Sequence, residues 1–224
     1  MRKGDVRKAA IIEAAENLFY TKGYENTSIQ DVLDALNLSK GGFYHHFESK
    51  LSLLAAICEK RMEKYADDCR SMIQANHFSP IEKLNCVFSY GSYLKDASTE
   101  FIAIMLDVAY RQQQVMLREH MNAAGMELLR GLAAEAIDGG VSENLFYVKY
   151  IGEISGVVLN LSSCLTNEVS MAAVTIADEA ERSRAIRKKI EAYSYAVETL
   201  LNAPHGSVKL MEDDAVHVIN RSLS

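Results

Sequence analysis

Between Thr27 and Leu54 the chain reads TSIQDVLDALNLSKGGFYHHFESKLSLL, and this stretch leaves little freedom in how it folds. Ile29, Val32, Leu33 and Leu36 recur at the three- and four-residue spacing that gives a short helix one apolar face. Thr27, with Gln30 three residues on, is its expected N-cap and capping box. Asn37-Leu38 must turn the chain, since Asn tolerates the left-handed backbone such a turn needs. Ser39 then caps a third helix. Upstream, Ile11, Ile12, Ala15, Leu18 and Phe19 give a helix over about 6–22 one face, with Gly23 as its stop. Two short helices joined by about three residues, with Leu38 buried in the turn, form a helix-turn-helix.

The third helix opens on Gly41-Gly42, although Gly is about 1 kcal/mol worse than Ala per helical position. Local stability does not favour such a pair. On a wheel of 100° per residue, Phe43 and Phe47 share the core side, and Gly41 and His45 point away from it. Gly42 and His46 lie on one flank, Lys40 and Tyr44 on the other. The outward face is a bare leading turn followed by a cation, a phenol and imidazoles. A major groove about 12 Å wide admits a helix whose first turn does not collide with the sugar-phosphate wall, and glycine removes that collision. The free N–H groups at the helix start favour phosphate. Sequence reading then falls mainly to Lys40, Tyr44 and His45, with Lys50 as a point charge. His45, His46 and Glu48 do not make a metal site, since neighbours on a helix diverge by 100°. Arg2, Lys3, Arg7 and Lys8 read as a solvated face or as an arm toward DNA.

The same residues carry a family resemblance. The cap Thr27, the Ser39-Lys40-Gly41 run, the Phe43-Tyr44-x-His46-Phe47 block and the following Ser49-Lys50 resemble, in order, the DNA-binding segment of the tetracycline-repressor (TetR) family of bacterial transcription regulators. With the first helix the resemblance covers about the first 55 residues. It implies that Thr27, Ser39, Lys40, Gly41, Tyr44, His45, His46 and Lys50 contact operator DNA, and Gly42 joins them as part of the bare turn. Family members often carry Ala where this chain has Leu33, Gly at Asn37 and an acidic residue at Leu51.

Only 2 prolines and 12 glycines interrupt long Ala/Leu/Ile/Glu/Lys segments in 224 residues, so the fold expected is all-α. The net charge of −6 argues against a nucleic-acid partner until its distribution is considered. Residues 1–50 hold seven basic and seven acidic side chains, and the remaining 17 basic and 23 acidic carry the whole deficit. A neutral head on an acidic body suits a small module that meets phosphate. The basic start leads into an amphipathic pattern rather than an apolar signal core, and 151–165 falls short of the roughly 20 apolar residues that cross a bilayer. A cytoplasmic protein without a membrane segment is the expectation. Cys58, Cys69, Cys86 and Cys164 lack zinc-like or CxxC spacing and are expected as buried thiols. No cofactor, metal or catalytic constellation is indicated: there is no nucleophile–base arrangement, HExxH or phosphate-binding glycine loop.

The organisation expected is a helix-turn-helix domain over 1–50, a connecting helix over 51–76 and a helical body over 77–224. Ser79-Pro80-Ile81-Glu82 is a strong helix start. Further helices are expected at about 80–95, 99–110, 112–137, 144–166 and 182–203, with Asp138-Gly139-Gly140 ending one of them. Residues 167–181 are ambiguous. Gly152 and Gly156 permit a close helix approach, and Ile186, Ile190, Tyr193, Val197 and Leu200 follow the 4-3-4-3 spacing of a bundle seam. The resemblance implies a homodimer through the last two long helices on a roughly palindromic operator in double-stranded DNA. It also implies a small-molecule effector pocket in the body, for which Tyr90, Tyr93, Phe101, Met105, Met116 and Tyr147 are candidate linings. The function expected is a repressor released by that effector; the alternatives are a DNA-bound adaptor for a protein partner and a helical enzyme.

Overall fold

The computed structural model describes residues 3–88, 99–211 and 214–223. Among them every regular element is helical and none is a strand. The elements are α1 (Lys3–Lys22), α2 (Ile29–Leu36), α3 (Lys40–Tyr44), α4 (Lys50–Ala75), α5 (Pro80–Phe88), α6 (Thr99–Met105), a π-helix (Leu106–Arg111), α7 (Val115–Ser142), α8 (Ile151–Thr175), α9 (Glu179–Leu201) and α10 (Ala215–Ser222).

The first three helices close on one another through Ile11, Ala15, Phe19, Val32, Leu33, Phe43 and Phe47, and Leu54 and Ile57 of α4 seal them from below. The turn into α3 forms as the sequence requires, with Asn37 at φ 51° and Ser39 Oγ accepting from Gly42 N–H. One cap differs. Ser28 caps α2 in a reciprocal box with Asp31, and Thr27 is buried, its Oγ1 donating to the Gly23 carbonyl at 2.7 Å. Thr27 thus closes the end of α1. Lys22 reaches Asp31 at 2.7 Å and, with the Ser28 hydrogen bonds, holds that carboxyl well below its ordinary range.

In the body α7 packs on α4, α5 and α8, and α8 lies between α7 and α9. The box between Ser79 and Glu82 starts α5, with Pro80 at the first helical position. Gly139-Gly140 does not end a helix: α7 runs on to Ser142. A Cβ on Gly140 would fall 2.1 Å from the Phe146 ring, and the Gly140 carbonyl accepts from the N–H groups of Leu145 and Phe146. Glycine here lets the chain fold back over its own helix. The helix expected over 144–166 begins only at Ile151, after Asn144 and Tyr150 take left-handed backbone, and absorbs the ambiguous segment up to Thr175. At 25 residues and a mean hydropathy of 1.3, α8 is long and apolar enough to cross a membrane by length and composition. Its apolar side is used inside the protein, where Val158 and Leu165 are wholly buried. Cys164 on the same helix, expected as a buried thiol, is exposed.

Candidate nucleic-acid interface and ligand cavity

The α3 surface assembles as the wheel arrangement requires. Phe43 and Phe47 are buried, at 0% and 4% exposure, and Ser39, Lys40, Gly41, Tyr44 and His45 are open to solvent. Gly42 and His46 are half-buried on the flank. A Cβ at Gly41 would meet nothing within 4 Å, and one at Gly42 would make ordinary contacts with Ser39 and Leu38. Neither glycine takes a left-handed backbone. The fold itself therefore does not require the glycine pair, and its helix-propensity cost of about 2 kcal/mol answers to something outside the chain.

Two of the DNA-contact candidates are differently employed. Thr27 is 1% exposed and spends its hydroxyl on α1, so its side chain cannot reach a duplex. The Lys50 ammonium donates to the Tyr24 carbonyl at 2.8 Å and lies 4.2 Å from the Tyr24 ring centroid, pinning α4 to the turn after α1. Both are conscripted because the short α1–α2 turn leaves carbonyls that need donors. Arg7 and Lys8 on α1 are exposed beside α3, with Lys8 Nζ 6.0 Å from the Phe47 ring centroid. Desolvation, His45 and then these two cations depress the His46 pKa below its ordinary value.

The second feature is a cavity of about 210 Å³ between α4, α6, the π-helix, α7 and α8. Phe101 and Met105 line it. Met116 and Tyr147 do not: they are 79% and 78% exposed, because Met116 sits on the outer side of the first turn of α7 and Tyr147 in the loop before α8. Tyr90 and Tyr93 lie outside the described residues. Five methionines, Met62, Met105, Met121, Met126 and Met211, give much of the wall a conformable apolar surface. A polar strip of Ser162, Ser163, Thr166 and Ser170 comes from α8, and Arg118 from α7. The sequence hid this strip because its hydroxyl spacing alone resembles any solvated helix face; Arg118 carried no signal either, being one charge among many on α7.

The cavity abuts the head. Arg61 on α4 stacks on Phe101, 4.4 Å from the ring centroid, and its Nη1 donates to Glu16 at 2.7 Å and Tyr20 at 2.6 Å on α1. Burial and the Glu16 hydrogen bond push the Tyr20 phenol up, with Arg61 opposing. Gln112, just past the π-helix, donates to Glu25 in the turn after α1 at 2.8 Å. A π-helical turn inside an α-helical path is uncommon and recurs at functional sites; here Leu106, Ala109 and Tyr110 line the cavity from it.

The proposed dimer residues are largely turned inward. Ile186 and Val197 are wholly buried in their own chain's core, and Ile190, Tyr193 and Leu200 pack against it. Gly156 lies under Arg130 of α7, whose guanidinium donates to the Gly152 carbonyl, while Gly152 itself is exposed. The most apolar stripe of α9 is taken up by its own subunit's core. The outward stripe is more mixed: Val157, Cys164 and Met171 on α8 are all exposed at seven-residue spacing, and on α9 Tyr195 is 60% exposed.

A helix-turn-helix with an open, side-chain-free leading turn, carried on an all-helical body, defines a DNA-binding transcription regulator. Residues 11–57 match the profile of the bacterial regulatory proteins of the tetR family, so the helix-turn-helix head carries that family's DNA-binding segment. It is 27% identical over 168 residues to an uncharacterized HTH-type transcriptional regulator of Lactococcus lactis, across 66% of this chain and 86% of that protein. Three other curated regulators are matched over only 18%, 35% and 35% of their own length, so one segment rather than a whole protein is shared with them. The crystal structure of a TetR-family regulator from Pectobacterium atrosepticum superposes with a TM-score of 0.64 at 18% identity, covering 92% of this chain and all of that one. RolR bound to resorcinol superposes at 0.54 with 13% identity, over 98% of this chain and 96% of that one. At such identities the likeness is one of fold.

Proposed function

We propose that this chain is a homodimeric cytoplasmic repressor, not an enzyme, that leaves a roughly palindromic operator when a small molecule occupies the cavity. One observation carries the reading: Phe101 is at once a wall of the cavity and the stacking partner of Arg61, which holds α1 of the head. An occupant that displaces Phe101 displaces the scaffold that orients α3. The superposition with ligand-bound RolR supports a body of this shape serving as a ligand chamber. The cavity favours this over a filled body that recruits a protein partner.

Ser39, Lys40, Gly41, Gly42, Tyr44, His45 and His46 form the operator face, joined by Arg7 and Lys8. Thr27 and Lys50 shape it from behind. The exposed seven-residue stripe of α8 with Tyr195 of α9 is the dimer face, since a stripe at that spacing suits a helix bundle between two copies. Two heads one helical turn apart then read the two half-sites. Linkage makes the coupling reciprocal: an effector that weakens DNA binding is itself bound more weakly by the DNA complex.

Selection of genomic fragments by the purified protein tests this directly. Recovery of a palindromic site whose affinity falls on addition of a small molecule supports the reading. Sequence-blind binding at every salt concentration overturns it.

A further inference from the structure

We propose that the cavity takes a small amphipathic monocarboxylic acid, with the Arg118 guanidinium as its counter-charge. The inference rests on reading the cavity as the effector site and specifies what that effector is.

Arg118 belongs to the cavity lining, one turn into α7, and is half-buried. Its Nη1 donates to the Ala109 carbonyl within the π-helix, 2.5 Å away, and its guanidinium carbon lies 5.2 Å from the Tyr110 ring centroid. Among the described residues no carboxylate pairs with it. A guanidinium has five N–H donors in a planar fork that matches a carboxylate edge, and a single carbonyl leaves that fork mostly unused. A cation beside apolar walls is costly unless an anion or water completes it. The neighbouring cation, Arg61 just behind Phe101, is by contrast paired with Glu16.

The remaining lining fixes the rest of the ligand. Methionines, Phe101 and Leu159 enclose an apolar body. Ser162 and Ser163, whose hydroxyls donate to no group among the described residues, offer hydrogen bonds to a second carboxylate oxygen. Arg118 is the one ionisable cation among the lining residues described, which suits a single negative charge and not a phosphate ester. A cavity of about 210 Å³ lies below the roughly 300–1,000 Å³ of drug-sized sites, so the acid is small. An alcohol of the same length would fill the apolar space but leave the fork unpaired. The site therefore selects acid over alcohol.

The test uses the full-length protein and calorimetric titration with hexanoate, octanoate, decanoate and benzoate, each against its matching primary alcohol. The expected result is an acid preference of about tenfold or more for at least one pair. Arg118→Gln, which keeps a donor for the Ala109 carbonyl, abolishes that preference, and Arg118→Lys restores part of it. A purely structural role for Arg118 would lower the melting temperature of the ligand-free variant without changing the ratio of acid to alcohol affinity. Equal binding of acids and alcohols, binding of neither, or a preference that survives Arg118→Gln overturns the proposal. A separate titration of DNA binding distinguishes the two readings: acids that bind through Arg118 but leave operator affinity unchanged overturn the effector role and leave the acid site standing. Neutral compounds that release DNA with no acid preference do the reverse.

Discussion

The Arg61 guanidinium lies 4.4 Å from the centre of the Phe101 ring and 2.7 Å from the Glu16 carboxylate, so one side chain joins the wall of the cavity to the first helix of the DNA-binding head. Both charged groups are mostly covered, with side-chain exposures of 15% and 19%. A pair so enclosed is screened little by salt.

Arg61→Ala strands Glu16 and the Tyr20 hydroxyl together. The expected cost is about 1–3 kcal/mol of folding stability, seen as a lower denaturation midpoint. The effector-dependent change in operator affinity should shrink more than the operator affinity itself. Unchanged coupling in a folded Arg61→Ala variant would show that the head senses the cavity by another route.

Gly41→Ala should separate folding from binding. Its Cβ meets nothing within 4 Å, so helix propensity should raise stability by up to about 1 kcal/mol. In the proposed operator complex the same methyl group stands where the duplex approaches, and operator affinity should fall. A variant both more stable and equally tight on DNA would place the duplex elsewhere.

Lys40 and Lys50 should behave as opposites, though both are basic and flank α3. Lys40→Ala should leave stability alone and weaken the operator by about 1–3 kcal/mol if it meets a base, or all sequences alike if it meets phosphate. Lys50→Met loses its bond to the Tyr24 carbonyl and its place over the Tyr24 ring, and should lower stability by about 1–3 kcal/mol at any salt concentration.

Operator binding should strengthen as the pH falls below neutrality. In the free protein His46 titrates below its ordinary 6.5, from desolvation first and then from His45, Arg7 and Lys8. DNA phosphates favour the imidazolium and offset those cations, so the His46 pKa is higher in the complex than in the free chain. Protons are taken up on binding between the two values, and the gain levels off once the pH lies below the free value. Affinity measured across this range, with His46→Gln flattening the slope, checks the sign.

Val157→Glu places a charge on the outward stripe of α8, where Val157 is 44% exposed. Folding stability of the subunit should change little, while sedimentation should show a monomer and operator affinity should collapse. A dimer that survives this change and Tyr195→Glu together lies on another face.

The head was legible because its cues are local. A left-handed Asn37, the Ser39 cap and two phenylalanines four residues apart fix α3 and its outward face without reference to the rest of the chain. Even there the cap of α2 shifted by one residue: Thr27 and Ser28 both match the capping pattern, and only the packing of α1 against the turn decided that Thr27 goes inside. Lys50 reads as a free cation until the carbonyls of Tyr24 and Glu25 are brought beside it.

In the body, periodicity determined that the chain is helical and which stripes are apolar. It could not determine what each stripe faces, because one helix carries several and they compete for burial. Ile186 and Val197 went to the subunit core, leaving the mixed stripe of Val157, Cys164 and Met171 outside. The cavity likewise depends on contacts far apart in sequence, joining Met62 to Met211 and Arg118 to Ala109. Burial is a collective outcome of three-dimensional packing, so only the tertiary structure decided which side chains meet there.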